Sequence, residues 1–440
     1  MMSGDTLALA MMAFAIILIM VGVPIAFALG GVAVVVALYE YGPPALNIFV
    51  LRIHTLFQDY ILLAIPLFVF MGFVLERSGI ATRMFDSLRQ MLGRLPGGLA
   101  IATIATGTLF AAATGVVGAS VVTLGLVALP AMLRYKYDKG LATGVVSASG
   151  TLGILIPPSI LIIVYGPMAG LSVGQLFASV LVPGLLLSVA YTVYTIVLCT
   201  IKPSAGPTVP IEEDTLSWPA KLADFAVAAL PTLLLIVAVL GSILLGVAAP
   251  TEAAAVGALV TVGLAAAYRK LDLRMLKEAS LQTLEVTSMI YLVTIGASMF
   301  TGLFIRLGGG AMVAELFLDI GWSPIAILWL MIVIVIFLGM VLDWLGVLLL
   351  CIPLFTPVAA KLGFDPVWFA TLMIVALQMS YLTPPFALAL FYLRGVTPPD
   401  VTTHDMYRGA ITFVLIQLAV LTLLIYVPAI SLWLPRLLFK

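Results

Sequence analysis

Apolar stretches long enough to cross a bilayer recur along the whole of this chain, and nothing else constrains its folding as strongly. A helical crossing needs about 20 apolar residues. Ten candidates meet or approach that length: 7–21, 23–39, 60–76, 142–165, 176–200, 224–247, 250–268, 281–303, 367–393 and 409–434. The first two come from one run too long for a single crossing, which Gly22-Val23-Pro24 interrupts. With 63% hydrophobic and 9% charged residues and a mean hydropathy of +1.25, the chain cannot cover a water-soluble globule of its size. It is therefore read as a polytopic, all-α membrane protein in contact with lipid along its length. Asp5 stands where a signal peptide would carry basic residues. Twenty Lys and Arg balance twenty Asp and Glu, which argues against a nucleic-acid partner. Cys199 and Cys351 sit in apolar runs and suggest neither a disulfide framework nor a metal site.

Two further apolar segments, 97–133 and 323–360, each carry a Gly-containing interruption near the middle. Arg77, Arg83, Arg89 and Arg94 precede the first, and Arg134, Lys136 and Lys139 follow it. Under the positive-inside rule both flanks are cytoplasmic, so the segment must enter the membrane and return. Its legs would be about 22–26 Å long at 1.5 Å per residue, short of a hydrocarbon core of about 30 Å. A re-entrant helical hairpin fits better than two crossings. Carrying the alternation forward puts the loop of Arg269, Lys270, Arg274 and Lys277 in the cytoplasm and both termini outside. Between the halves, 201–223 reads as a cytoplasmic linker with prolines and the acidic run Glu212, Glu213, Asp214. Ile80, Met84, Leu88 and Met91 recur at helical spacing among arginines, which predicts an amphipathic surface helix.

The chain also repeats itself. A shift of 227 places Pro130 on Pro357, Asp138 on Asp365, Pro157 and Pro158 on Pro384 and Pro385, and Tyr165 on Tyr392. Each half then holds five crossings and one hairpin, an odd number, so the repeats have inverted topology.

Non-helical backbone at membrane depth is tolerated only when buried in protein or lining a wet cavity. Four breaks paired by an inverted repeat therefore point to a site near the midplane. A proline gives no amide hydrogen to the carbonyl four residues back, so Pro157 and Pro158 free those of Gly153 and Ile154, and Pro384 and Pro385 those of Ser380 and Tyr381. With the hydroxyls of Ser149, Thr151, Ser380 and Thr383 they make an oxygen-rich setting for a hard cation such as sodium. Helix N-termini at the hairpin tips offer amides and a positive dipole end to a carboxylate. A lone Pro-Pro is more often a kink, and Gly115, Gly118, Ala119 and Ser120 are of a kind that permits close packing. Their pairing across the repeat and their place at a turn favour function. Asp343, in Gly339-Met-Val-Leu-Asp-Trp-Leu-Gly346, is the sharpest single residue, because a carboxylate at membrane depth is costly. Glu252 suits the start of a helix, Glu285 lies near a span end, and His54 and His404 read as loop residues without metal-ligand spacing.

Gly22-Val-Pro-Ile-Ala-Phe-Ala-Leu-Gly30, the run from Leu129 to Gly144, Gly150-Thr-Leu-Gly-Ile-Leu-Ile-Pro-Pro-Ser159 and Leu382-Thr-Pro-Pro-Phe386 resemble the large membrane subunit of tripartite ATP-independent periplasmic (TRAP) transporters. The resemblance covers essentially the whole chain. It implies an ion-transporter elevator fold in the bacterial inner membrane, with a transport domain (97–200 and 321–434) sliding against a scaffold (1–96 and 224–320). It implies coupling to about two sodium ions or more, with no organic cofactor. It also implies a small four-helix membrane subunit, expected here as a separate chain, and a periplasmic binding protein that delivers a small organic acid. Carried over by motif, one sodium site draws on Gly115, Gly118 and Ser120 with Ser149, Gly150 and Gly153. The other draws on Asp343 and Gly346 with Ser380 and Thr383. Between the tips, Ala119, Ser120, Trp344 and the prolines Pro157, Pro158, Pro384 and Pro385 would meet the substrate carboxylate.

Other classes fare worse. An intramembrane hydrolase would need a nucleophile with its base, paired aspartates or a His-Glu-x-x-His zinc motif, and none is present. A channel would not show saturable uptake that needs a sodium gradient. A stand-alone sodium/dicarboxylate symporter is the main rival within transporters.

Overall fold

A computed structural model describes residues 3–210 and 217–439, and every described element is helical. The first half runs α1 (Gly4–Met20), α2 (Ile25–Tyr41), α3 (Leu46–Phe57), α4 (Ala64–Arg77), α5 (Ile80–Leu92), α6 (Gly98–Thr114), α7 (Val117–Arg134), α8 (Lys139–Leu155), α9 (Ile160–Ala169) and α10 (Val173–Ile201). The second runs α11 (Trp218–Leu244), α12 (Pro250–Ala267), α13 (Leu273–Arg306), α14 (Gly309–Asp319), α15 (Pro324–Gly339), α16 (Trp344–Lys361), α17 (Pro366–Ser380), α18 (Leu388–Arg394), α19 (Thr403–Tyr426) and α20 (Ala429–Leu438). Among the described residues, nine helical segments are long and apolar enough to cross a membrane. Large side chains such as Phe14, Val35, Val197 and Leu259 stand exposed on the outer surface, where acyl chains would cover them.

The repeat is structural as well as sequential. Shifted by 227, α16 falls on 117–134, the bounds of α7, and α17 and α18 fall on α8 and α9. Asp138 and Asp365, equivalent by that shift, cap α8 and α17: Asp138 accepts from the Leu141 amide, and Asp365 from those of Val367 and Trp368. The inversion is visible at Asp138. Its amide donates to the Ala205 carbonyl, just past the end of α10, while its carboxylate accepts from Arg408 at the start of α19. α10 and α19 are equivalent by the shift, yet one ends and the other begins at this face.

That face is rich in cations. Arg77 at the end of α4 donates to Glu278 (2.9 Å) and Gln282 (2.8 Å) at the start of α13. The hairpin of α6 and α7 opens here too, since the Gly97 amide donates to the Gly206 carbonyl. The opposite, cation-poor face holds the start of α1 and the end of α13, where the Arg306 guanidinium lies 4.9 Å from the centre of the Tyr41 ring. α5 is the amphipathic helix the arginine spacing predicts, with Ile80, Met84 and Leu88 buried. At the start of α12, Glu252 accepts from the Ala249 amide at 2.9 Å, a helix-start role.

Several expectations need correction. His54 lies in α3 and His404 in the first turn of α19, not in loops; α3 is too short, and too interrupted by Arg52 and His54, to register as an apolar span. α14, the counterpart of α5, was not anticipated. The last crossing ends at Tyr426, where Val427-Pro428 breaks the chain before α20. The linker read over 201–223 is shorter, since α11 already begins at Trp218, and its Ala205 and Gly206 carbonyls and Val209 amide bond Asp138, Gly97 and Gly93. Glu212, Glu213 and Asp214 lie outside the described residues.

Candidate functional site

The first tip is closed by Gly115, at φ +63° in the left-handed region that favours glycine. A Cβ there would meet the Pro158 carbonyl oxygen at 3.0 Å, so tip and broken helix approach closely. Behind the turn, the buried hydroxyls of Thr114 and Ser120 share a hydrogen bond of 2.9 Å, and Thr114 can also donate to the Phe110 carbonyl at 3.0 Å. Gly118 faces the ring of Tyr392 from the other repeat.

The second tip is built on a carboxylate. Asp343 is the N-cap of α16 and accepts from the Leu345 amide at 3.4 Å. The buried Tyr381 donates its hydroxyl to Asp343 Oδ1 at 2.7 Å and accepts from the Trp344 amide at 3.3 Å. Tip and broken helix are thus joined through one phenol. Gly339 is required where α15 crosses Ser380, since a Cβ would lie 2.2 Å from the Ser380 hydroxyl.

At both helix breaks the Pro-Pro bond is cis. Three of the four carbonyls that the prolines free have found donors. Ser159 Oγ reaches that of Ile154 at 2.6 Å, the Thr383 amide that of Ser380 at 3.1 Å, and the Ala389 amide that of Tyr381 at 3.1 Å. Among the described residues no donor reaches the Gly153 carbonyl. The hydroxyls of Thr151, Ser380 and Thr383 donate back to the Ala148, Leu377 and Met379 carbonyls, leaving their lone pairs free to accept or to coordinate. Among the described residues, Ser149 Oγ is buried without a partner, as are both amide atoms of Gln378. Neutral oxygens of this kind are ligands for a hard cation rather than for a transition metal. No group of three His, Cys, Asp or Glu suited to a metal ion occurs among the described residues.

One cavity of about 530 Å³ gathers both tips. Gly115 and Gly118 line it from the first and Asp343, Trp344 and Gly346 from the second, with Ile154, Ser159 and Tyr381 from the breaks. Its far wall is the first turn of α2, from Pro24 to Phe27, and α13 from Val286 to Val293. Ala119, Ser120, Ser149, Gly150, Gly153, Ser380 and Thr383 lie outside this lining, as do all four prolines; Pro157 and Pro158 are buried and Pro385 is exposed. Sequence reasoning passed over three side chains here. Tyr381 and Tyr392 were signalled by polar tips in apolar helices at the breaks, and Gln378 by its amide two residues before Ser380.

Inverted repeats, broken helices and a shared cavity between hairpin tips define a membrane transporter. The comparisons with known proteins agree. The family described as "Tripartite ATP-independent periplasmic transporter, DctM component" matches residues 11–430, and the chain belongs to it. The "C4-dicarboxylate TRAP transporter large permease protein DctM" of Pseudomonas aeruginosa is 33% identical over 398 residues, 90% of this chain and 91% of that protein. The "Sialic acid TRAP transporter large permease protein SiaM" of Vibrio cholerae is 32% identical over 381 residues, 86% of this chain and 87% of that one. The "Isethionate TRAP transporter permease protein DctMQ" of Oleidesulfovibrio alaskensis is 30% identical over 96% of this chain and 65% of its own length. Among solved structures, that of the Alcanivorax borkumensis YdaH transporter superposes with a TM-score of 0.68 at 14% identity, over 98% of this chain and 99% of that one. The protein is thus a multi-pass transport permease and not an enzyme.

Proposed function

We propose that this chain drives sodium-coupled uptake of a small organic acid across the bacterial inner membrane by an elevator motion. The observation that carries this reading is the single cavity into which both hairpin tips project, one of them bearing Asp343. Residues 97–200 and 321–434 form the moving domain, and 1–96 and 224–320 the scaffold. This division is supported by the cavity wall, where α2 and α13 face the tips. The cation-rich face is cytoplasmic, which leaves both termini outside.

One sodium ion sits behind the first tip, among Gly115, Gly118, Ser120, Ser149, Gly150 and Gly153, and another behind the second, among Asp343, Gly346, Ser380 and Thr383. The substrate carboxylate lies between the tips, where the α7 and α16 amides and Trp344 face it. Carboxylates and sulfonates in the names of relatives support an organic anion, and their variety leaves its identity to experiment. A small four-helix membrane subunit and a periplasmic binding protein are the proposed partners.

The test is transport in liposomes that contain this chain with the small subunit, using a panel of organic acids. Uptake is expected only with both an inward sodium gradient and the binding protein. Uptake indifferent to sodium would overturn the coupling, and equal uptake without the binding protein would mark a stand-alone symporter.

A further inference from the structure

A second cavity, of about 640 Å³, lies toward the cation-poor face between α3, the end of α9 and the last third of α13. Its lining differs in kind from that of the tip cavity. Arg52 and Arg306 bring two cations, Asp59 one carboxylate, and Thr55, Thr294, Ser298 and Thr301 hydroxyls. Among the described residues Arg52 has no carboxylate within ion-pairing distance, whereas Arg77, Arg274 and Arg408 each have one. Asp59 accepts from the Ile61 amide at 2.9 Å and the Arg306 guanidinium stacks on Tyr41; both keep their charges, so with Arg52 the lining carries one net positive charge. Arg52 is laid flat on Gly302, where any Cβ would fall 2.1 Å from its Nε. Next to that glycine, Thr301 Oγ1 is buried and has no partner among the described residues.

α13 joins the two cavities. Val286, Ile290 and Val293 line the tip cavity, and Thr294, Ser298 and Thr301 continue the same helical face into this one. Ile290 and Ser298 are separated by about 12 Å of helix axis at 1.5 Å per residue. An unpaired guanidinium beside hydroxyls, in a cavity large enough for a small acid, is suited to an anionic oxygen pair. We propose that this cavity is a second anion site, a vestibule in which Arg52 meets the carboxylate of the substrate on the cation-poor side of the membrane. The inference rests on the uptake reading for the identity of its ligand, but its electrostatics can be read without transport.

The experiment introduces Ser298→Cys into the purified full chain in detergent and compares labelling by an anionic sulfonate-bearing and a cationic ammonium-bearing methanethiosulfonate, each rate normalised to that on free cysteine. The anionic reagent should react faster by roughly fivefold or more, a ratio that one net positive charge can generate at short range. Arg52→Gln should remove that preference and Arg52→Lys keep most of it. Gly302→Ala, which displaces the guanidinium without removing it, should weaken it. A ratio near one, or a ratio unchanged in Arg52→Gln, would overturn the vestibule even if sodium-driven uptake stands. If uptake proves independent of sodium while the ratio holds, the uptake reading fails and the anion site survives.

Discussion

The two hairpin tips share a fold and differ in chemistry. At the first, Gly115 closes the turn and a buried pair of hydroxyls, Thr114 and Ser120, lies behind it. At the second, Asp343 caps the returning helix and is held by Tyr381. The shift of 227 puts Ile154 where Tyr381 stands, and both line the cavity, so an apolar wall on one side faces a phenol on the other. The symmetry of the backbone supplies two amide-rich helix ends, and the asymmetry of the side chains supplies a single charge. In the proposed transport cycle the two ion positions are therefore expected to be unequal.

The largest effect should follow the charge. Asp343→Ala is expected to lower sodium-driven uptake at least ~tenfold while leaving expression and membrane insertion near normal. Preserved uptake would show that the second tip does not depend on its carboxylate. Tyr381→Phe, which removes the donor to Asp343 and the acceptor for Trp344, should cost a smaller factor and raise the sodium concentration needed for half-maximal uptake. A loss confined to maximal rate would instead make Tyr381 a hinge.

The first tip should respond in stability more than in charge. Gly115→Ala forces a side chain into a left-handed turn against Pro158, which costs about 1–2 kcal/mol and should lower the thermal midpoint of the purified protein by a few degrees. An unchanged midpoint would mean that the turn relaxes. Ser120→Ala removes one buried hydrogen bond, worth about 0.5–1.5 kcal/mol.

The smallest effect lies away from both tips, at Asp138. Burial works to raise its carboxyl pKa, but the Arg408 guanidinium and the Leu141 and Gly140 amides outweigh it and hold the group below its ordinary value of 3.8. The stabilisation is therefore present above that value and lost as pH falls through the lower folded-state value. Thermal midpoints taken from pH 6 down to pH 3 should show an acid loss in the wild type that is shallower in Asp138→Asn. Identical profiles would remove Asp138 from the acid response.

Much of this was legible before any coordinates. Helix breakers in apolar runs have few physical explanations, so the hairpins at 97–133 and 323–360 and the breaks at the paired prolines follow from the residues. α3 escaped notice because its twelve residues are too few to cross a bilayer and Arg52 and His54 interrupt its apolar run. α14 was within reach, since the shift that relates the repeats carries α5 onto it. The cavity wall was not, because the sequence does not say which crossing packs against a tip. The first half breaks at 58–63 where α13 runs unbroken for 34 residues. Repeat symmetry cannot forecast that departure, and it is α13 that walls both cavities.

The inequality of the tips is tested most directly by sodium titration of uptake in liposomes for the wild type, Asp343→Asn and Ser120→Ala. The sodium concentration for half-maximal uptake should rise by roughly tenfold in Asp343→Asn, the effect of ~1.4 kcal/mol of lost binding, and by less than about threefold in Ser120→Ala. Equal shifts in the two variants would contradict the account.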